Sequence, residues 1–448
     1  MSEDRQADAE LAQLPREFLD RLTKPFSEFL RVEVASSAVL LSFAFAALVL
    51  SNSPWAHPFL GLWETQIGLQ LGTWEFARSL RDWINDGLMT LFFFLVALEL
   101  KRELVLGELG NPRIAALPLA AAVGGMLVPA AVYLMLQWGQ PGQHGWGTVM
   151  ATDTAFVMGC LALLGSRIPQ NLRVFMLSLA IADDIGAILV VAIGYSDYIN
   201  WGALALGALG VAIVRTIAML GFRSFPFYFL VGGFVWLAVD ASGIHATVTG
   251  VILGLMTPAR RWVSDERLYA ILDRVVAHPG SNRGSGNTKD RQSLLVAEIA
   301  ARETLSPVER LEIALHPWVG FLIMPLFAFA NAGAPLSLSG LESPVTMAVF
   351  AGFVLGKPVG VLTFSWLAVR LGIAVRPSDQ SWGLLAGSGL LAGIGFTMAL
   401  FIANLAFDQS AIDAAKLGIF LASIVSAAAG VVLLARLCPR RSPQPVRH

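Results

Sequence analysis

About twelve apolar stretches dominate this sequence, at 34–52, 86–101, 113–137, 148–165, 172–194, 200–220, 225–240, 243–258, 312–332, 344–370, 382–406 and 411–436. A helix needs roughly 20 apolar residues to cross a bilayer. The expected fold is therefore an all-α polytopic membrane protein of about 12 transmembrane helices. The second stretch is short, and the seventh and eighth are nearly fused. Charge is too sparse for a water-facing surface: 14% of residues are charged, against about a quarter in soluble domains. The mean hydropathy is +0.66. A formal net charge of −1 argues against a nucleic-acid partner. Cys160 and Cys438 have neither metal-ligand spacing nor the pattern of a disulfide framework. The first 28 residues are polar and acidic and lack the apolar core of a cleaved signal, so the first apolar stretch is expected to be retained.

Lysine and arginine in the loops set the expected orientation. With the N-terminus in the cytoplasm, the inner loops hold Lys101, Arg102 and Arg113, then Arg167 and Arg173, then Arg223, then Arg260 and Arg261, then Arg370 and Arg376, and finally Arg436, Arg440 and Arg441. The outer loops at 138–147, 195–199, 333–343 and 404–410 hold none. Arg78 and Arg81, in the segment 53–85, break the pattern. Both termini are expected inside. The chain divides into a cytoplasmic segment 1–28, a transmembrane domain 29–436 and a tail 437–448. Within that domain a polar cytoplasmic loop, 259–310, separates eight helices from four. It reads as a linker, disordered over 278–292.

A faint repeat recurs at an offset of 240: Pro118 falls on Pro358, Phe156 on Phe396, Met158 on Met398 and Ala182 on Ala422. The units are helices 3–5 and 10–12. They begin on opposite sides of the membrane, so the repeat is inverted, a recurrent transporter design.

Four ionisable residues stand out within the apolar stretches: Asp153, Asp183, Asp184 and Lys357. A charge at mid-bilayer costs at least ~2.5–3.5 kcal/mol, so such groups point to function. Two adjacent carboxylates in a low dielectric repel one another and are poorly solvated, and a proton or a small hard cation relieves both penalties. The two occupants then compete, and competition with alternating access yields antiport. Neighbouring helical residues diverge by about 100°, so one aspartate faces an ion cavity and the other a partner helix. Asp184 is the expected main ligand and Asp183 its partner or second ligand. Thr148, Thr152 and Thr154 surround Asp153 in the fourth stretch, and Gly387, Gly389, Gly393 and Gly395 lie in the eleventh. Both helices are expected to be interrupted and to cross, with half-helix ends at mid-membrane. Asp153 then neutralises the positive ends or binds the ion. Lys357 neutralises the negative ends or pairs with Asp183. Thr152 is a ligand or an ordinary helix hydroxyl bonded to its own backbone. Glu99 and Glu103 share a helix face at the inner level, with Glu312 and His316 opposite. They form an acidic funnel or proton-sensing cluster, or are edge charges paired with Lys101 and Arg102. His245 is a hydrogen-bonding histidine or a pH sensor. Asp86 reads as a helix-terminal carboxylate. Arg215 and Asp240, nearer the ends of their stretches, are set aside as snorkelling or water-facing charges.

The strings NDGLMTLFFFLVALELKREL (85–104), ATDTAFVMG (151–159), LAIADDIGAI (179–188), GIHATVTGVILG (243–254), LHPWVGFLIMPLFAFANAG (315–333), LGKPVG (355–360) and AGIGFTMALFIANLAF (392–407) resemble, in order, those of the NhaA-type sodium/proton antiporters. The resemblance spans about residues 25–436. It implies twelve helices, an inverted repeat, interrupted helices 4 and 11, and electrogenic, alkaline-activated exchange of cytoplasmic Na+ or Li+ for periplasmic H+ across the bacterial inner membrane. It implies no cofactor. Carried over, Asp183 and Asp184 match the ion-binding pair, Asp153 and Lys357 the charges that compensate the broken helices, and Thr152 a proposed ligand. Glu99, Glu103, Glu312 and His245 match positions linked to pH response. A homodimer is implied through an outer hairpin supplied by 53–75. The loop 259–310 and the N-terminal extension are longer than is usual in the family.

Other readings are weaker. A K+/H+ exchanger or a sodium-coupled organic-anion symporter fits the same scaffold, but an aspartate pair in mid-helix suits a bare cation. An intramembrane aspartyl protease, the enzymatic alternative, carries a Gly-x-Gly-Asp run, whereas Ala180-Ile181-Ala182 precedes the pair here. A retinal-type pump places its lysine on the last of seven helices. A channel needs no coupled exchange.

Overall fold

The computed structural model describes residues 33–438 except 72–73, 108–111, 196–198, 221–224, 260–262, 278–287, 336–337 and 409. The terminal segments, and the loop arginines Arg223, Arg260, Arg261, Arg440 and Arg441, lie outside the described residues.

The elements in chain order are helices α1 (Glu33–Ser51) and α2 (Ala56–Trp63), the hairpin strands β1 (Gln66–Leu71) and β2 (Trp74–Ser79), and helices α3 (Leu80–Val105) and α4 (Pro112–Leu136). A 3-10 segment, Pro141–Val149, precedes α5 (Thr154–Leu164); α6 (Gln170–Gly194), α7 (Trp201–Met219), α8 (Phe225–Ala241) and α9 (Val248–Met256) follow. Then come α10 (Asp265–Ala277), α11 (Thr288–Glu303), α12 (Pro307–Asn331), α13 (Pro344–Arg370), α14 (Trp382–Ala392), α15 (Phe396–Ala406) and α16 (Ile412–Leu437). Among the described residues seven of these are long and apolar enough to cross a membrane, and nine spans result when each of two bent pairs counts as one.

Seven to nine of the expected 12 or so spans are thus matched by length and composition among the described residues. The three remaining predicted stretches fold as the shorter apolar helices α1, α8 and α9. In the 243–258 stretch the helix starts only at Val248, because Gly243 takes φ 84° and 242–247 runs as turns. The second span is longer than predicted, since a capping box at Ser79 and Asp82 starts a helix before the π-helical turn Trp83–Leu88. The loop 259–310 is not irregular throughout: it carries α10 and α11, packed on each other. Of the expected disordered stretch, 278–287 lies outside the described residues and 288–292 is helical.

The predicted repeat units share one order of elements: a long helix (α4, α13), a broken helix (141–164, 382–406) and a long helix (α6, α16). The breaks bend by 44° and 47°. The repeat-related Phe156 and Phe396 meet edge to face, ring centroids 5.0 Å apart. Helices α4 and α13 approach so closely that a Cβ on Gly360 would lie 2.1 Å from the Gly124 carbonyl oxygen. Only glycine at both positions lets the backbones touch. Apolar side chains such as Leu206, Leu209, Phe229, Leu230 and Ile424 stand fully outward, which suits lipid and not water. The buried polar groups concentrate instead around the two breaks.

Candidate functional site

The interruption at 150–153 follows from local chemistry. Asp153 adopts an extended conformation (φ −84°, ψ 97°), and its carboxylate accepts the Phe156 N–H, capping α5. The second interruption, at 393–395, is held by close approach. A Cβ on Gly395 would lie 2.2 Å from the Phe353 ring, and one on Gly393 would lie 2.8 Å from the Phe353 carbonyl. The two breaks cross where Asp153 N–H donates to the Ile394 carbonyl at 2.7 Å.

Asp153 serves both half-helices. Besides Phe156 N–H at 3.2 Å, its carboxylate accepts Thr397 N–H at 2.9 Å and the Thr397 hydroxyl, at the first turn of α15. One buried carboxylate thus meets two helix N-termini, where unsatisfied N–H groups carry partial positive charge.

Lys357 follows the π-helical turn Gly352–Gly356. It does not meet the negative helix ends. Its Nζ donates to Asp183 Oδ2 at 2.6 Å and to Thr152 Oγ1 at 2.8 Å. Gly125 lies beside this pair: a Cβ there would be tight against Val361 Cγ2 at 3.2 Å and in ordinary contact with the lysine stem at 3.8 Å and Asp183 Oδ1 at 4.0 Å. Thr152 is not an ordinary helix hydroxyl. It accepts from Lys357, and its single hydrogen lies within reach of Asp183 Oδ2 (2.6 Å) and of the Ala392 carbonyl (2.9 Å), at the C-terminal end of α14. The threonine, not the lysine, therefore addresses the negative end.

Asp184, next along α6, points elsewhere and accepts the Thr154 hydroxyl at 3.1 Å. Thr152, Asp183 and Lys357 have no exposed surface, and Asp153 and Asp184 have almost none. Asp183 Oδ1 and Asp184 Oδ1 are buried and make no hydrogen bond among the described residues. Among the described residues Asp184 forms no ion pair, whereas Asp183 pairs with Lys357. No group of three or more metal-ligating side chains occurs among them. The arrangement can take a proton, or a hard cation that accepts oxygen ligands from two carboxylates and neighbouring hydroxyl groups.

The peripheral candidates form two separate clusters. Arg102 pairs with Glu312 and, at 3.5 Å, with Glu103. Glu99 lies within electrostatic reach of all three. The arginine, and not Lys101, is the organising partner. His245 sits elsewhere, its Nε2 2.9 Å from the Tyr195 carbonyl. The Tyr195 phenol, just beyond α6, is pushed up to about 12 by burial, so it remains a donor, here to the His144 carbonyl at 2.7 Å.

Sequence reasoning missed four sets of residues. Thr154 reads only as part of the interrupted start around Asp153, and Thr397 is not singled out. Arg78, from β2, pairs with Asp86 at 2.5 Å and with Asp240, while its guanidinium lies 5.7 Å from the Trp236 ring. Arg81 pairs with Glu64 at 3.2 Å. The two exceptions to the charge asymmetry are thus neutralised locally, a signal the sequence held. Finally, Asn331 links α12 to Asn85 and Asn404, exchanging amide hydrogen bonds of 2.7–3.3 Å.

The family described as "Na+/H+ antiporter 1" matches residues 27–434. The chain is 61% identical over 446 residues to Na+/H+ antiporter NhaA 3 of Acidiphilium cryptum (strain JF-5), covering 100% of this chain and 98% of that protein. It is 60% identical over 427 residues to Na+/H+ antiporter NhaA of Rhizobium meliloti (strain 1021), covering 95% and 98%. Among solved structures, the sodium proton antiporter MjNhaP1 of Methanocaldococcus jannaschii aligns with a TM-score of 0.48 and 13% identity, over 94% of this chain and 96% of that one. On the family match and the full-length identities, the chain belongs to the Na+/H+ antiporter 1 family.

Proposed function

We propose that this chain exchanges cytoplasmic sodium or lithium for external protons across the bacterial inner membrane, with both termini in the cytoplasm and the proton gradient as its energy source. It needs no cofactor. The observation that carries the reading is the charge balance at the crossing. Asp153 is met by two helix N-termini and Asp183 by Lys357, while Asp184 has only a hydroxyl. A bare carboxylate at this depth costs at least ~2.5–3.5 kcal/mol. Asp184 is therefore neutralised by a proton or balanced by a cation, and each occupant excludes the other.

Sodium binding draws on both carboxylates. Asp183 turns toward the ion only when its bond to Lys357 loosens. A second proton then leaves the Asp183–Lys357 pair along with the one on Asp184. Two protons exchanged for one monovalent cation move net charge, so exchange is electrogenic. Alternating access follows if the half-helices move only when the crossing is neutralised. The Arg102 cluster with Glu99, Glu103 and Glu312, together with His245, is our candidate for the pH response. The hairpin of β1 and β2, within and beyond the expected 53–75, is our candidate for a homodimer contact.

Everted vesicles holding an acid interior test the exchange. Addition of sodium or lithium should discharge the proton gradient, and the discharge should accelerate when a permeant ion dissipates the membrane potential. An equal response to potassium would favour the K+/H+ exchanger, and proton movement that requires an organic anion would favour a symporter.

A further inference from the structure

We infer that the Thr154 hydroxyl is a positioning group of the cation site, which holds Asp184 so that its second carboxylate oxygen is presented to the ion. The inference rests on the reading of the aspartate pair proposed above. It begins with backbone geometry. Successive side chains of an extended segment point to opposite faces. Thr152 and Asp153 lie in the extended break, and Thr154 is the first residue of α5. Asp153 accordingly turns toward α15, where it meets Thr397. Thr152 and Thr154 both turn to the other side, toward α6. There, each hydroxyl meets one of the adjacent aspartates: Thr152 Oγ1 is 2.6 Å from Asp183 Oδ2, and Thr154 Oγ1 is 3.1 Å from Asp184 Oδ2.

The consequence is the same at both aspartates. One carboxylate oxygen is fixed by a threonine, and the other, Oδ1, is buried and unbonded. For Asp183 the lysine adds a second restraint. For Asp184 the Thr154 bond is the one hydrogen bond to its carboxylate among the described residues. A carboxylate held by one oxygen offers the other in a defined direction. With its hydrogen committed to Asp184, the threonine oxygen also keeps acceptor lone pairs, the chemistry a hard cation takes. Thr154 is half-buried, while Asp184 is almost wholly buried.

The test compares Thr154→Val, which keeps the shape and removes the hydroxyl, with Thr154→Ser, which keeps the hydroxyl. Asp184→Asn is measured alongside. Half-saturating sodium and maximal rate are read in everted vesicles containing equal amounts of inserted protein. A hydrogen bond to a charged group supports at least about a tenfold effect on affinity. Thr154→Val is expected to raise half-saturating sodium by that factor while the maximal rate changes far less, and Thr154→Ser is expected to restore native half-saturation. Should Thr154→Val insert poorly, Thr154→Ala and radioactive sodium binding to purified protein give the same readout. Native half-saturation in the Val or Ala variant, or a fall in maximal rate alone, overturns the inference. If Asp184→Asn is silent while Thr154→Val behaves as native, only this inference fails. If Asp184→Asn still exchanges sodium for protons, the reading beneath it fails as well.

Discussion

Lys357 and Asp183 show how one residue can be both obligatory and replaceable. Each is buried completely, and the amine is the carboxylate's ion partner. Removing one partner of such a pair strands a buried charge, which costs about 3–5 kcal/mol, whereas removing both can be nearly neutral. Lys357→Met should therefore lower the melting temperature of the detergent-solubilised protein markedly, and Asp183→Asn in the same background should recover most of it. An unchanged melting temperature in the single variant would mean that the pair carries little of the stability. The four charges were legible in the sequence because ionisable groups are anomalous in apolar stretches. Thr397 was not, and Thr154 was legible only as part of the break, because their meaning comes from partners 244 and 30 residues away.

At the scale of elements, the site lies beside a pair of helix backbones that come unusually close. The α4–α13 contact at Gly124 and Gly360 sits one turn from Lys357. A Cβ at 360 forces the helices apart, and overpacking of this kind typically costs about 1–3 kcal/mol. Gly360→Ala should lower the melting temperature and, by moving Lys357 away from Asp183, change half-saturating sodium. A variant that melts as native and keeps its sodium dependence would show that the contact is not what sets the pair. The interrupted helices were readable from Thr-Asp-Thr in one stretch and the glycines in the other. The 3-10 segment Pro141–Val149 was not, because its glycines and proline read as an outer loop. Nor was the short α9, since hydropathy sees the apolar run 243–258 but not the turn that Gly243 introduces. The amphipathic α10 and α11 were missed because the polar loop around them masks their apolar positions.

For the whole molecule, the fold is a set of lipid-facing helices around a polar crossing, and Arg78 ties the hairpin to that body. It holds Asp86 on α3 and Asp240 on α8 together. Arg78→Ala leaves two carboxylates facing each other and should loosen the hairpin. The expected result is faster proteolysis within residues 53–79 and a lower melting temperature, with Asp240→Asn in the same background restoring part of both. Proteolysis at the native rate would show that the hairpin is anchored by other contacts. Fold class was legible because lipid imposes length and apolarity on each span. The ion pairs that fasten one element to another were not, since a charge near a span end looks alike whether it meets water or a partner.

The central claim is that a proton and a sodium ion compete for the aspartate pair. It is tested most directly by adding sodium to the purified protein in weakly buffered detergent and recording proton release, for the native chain and for Asp184→Asn. The account predicts that sodium releases protons from the native protein, that acidification shifts half-maximal release to higher sodium by up to about tenfold per pH unit for each competing proton, and that Asp184→Asn releases none. Equal proton release from the Asn variant would contradict it, and would place the exchange on other groups.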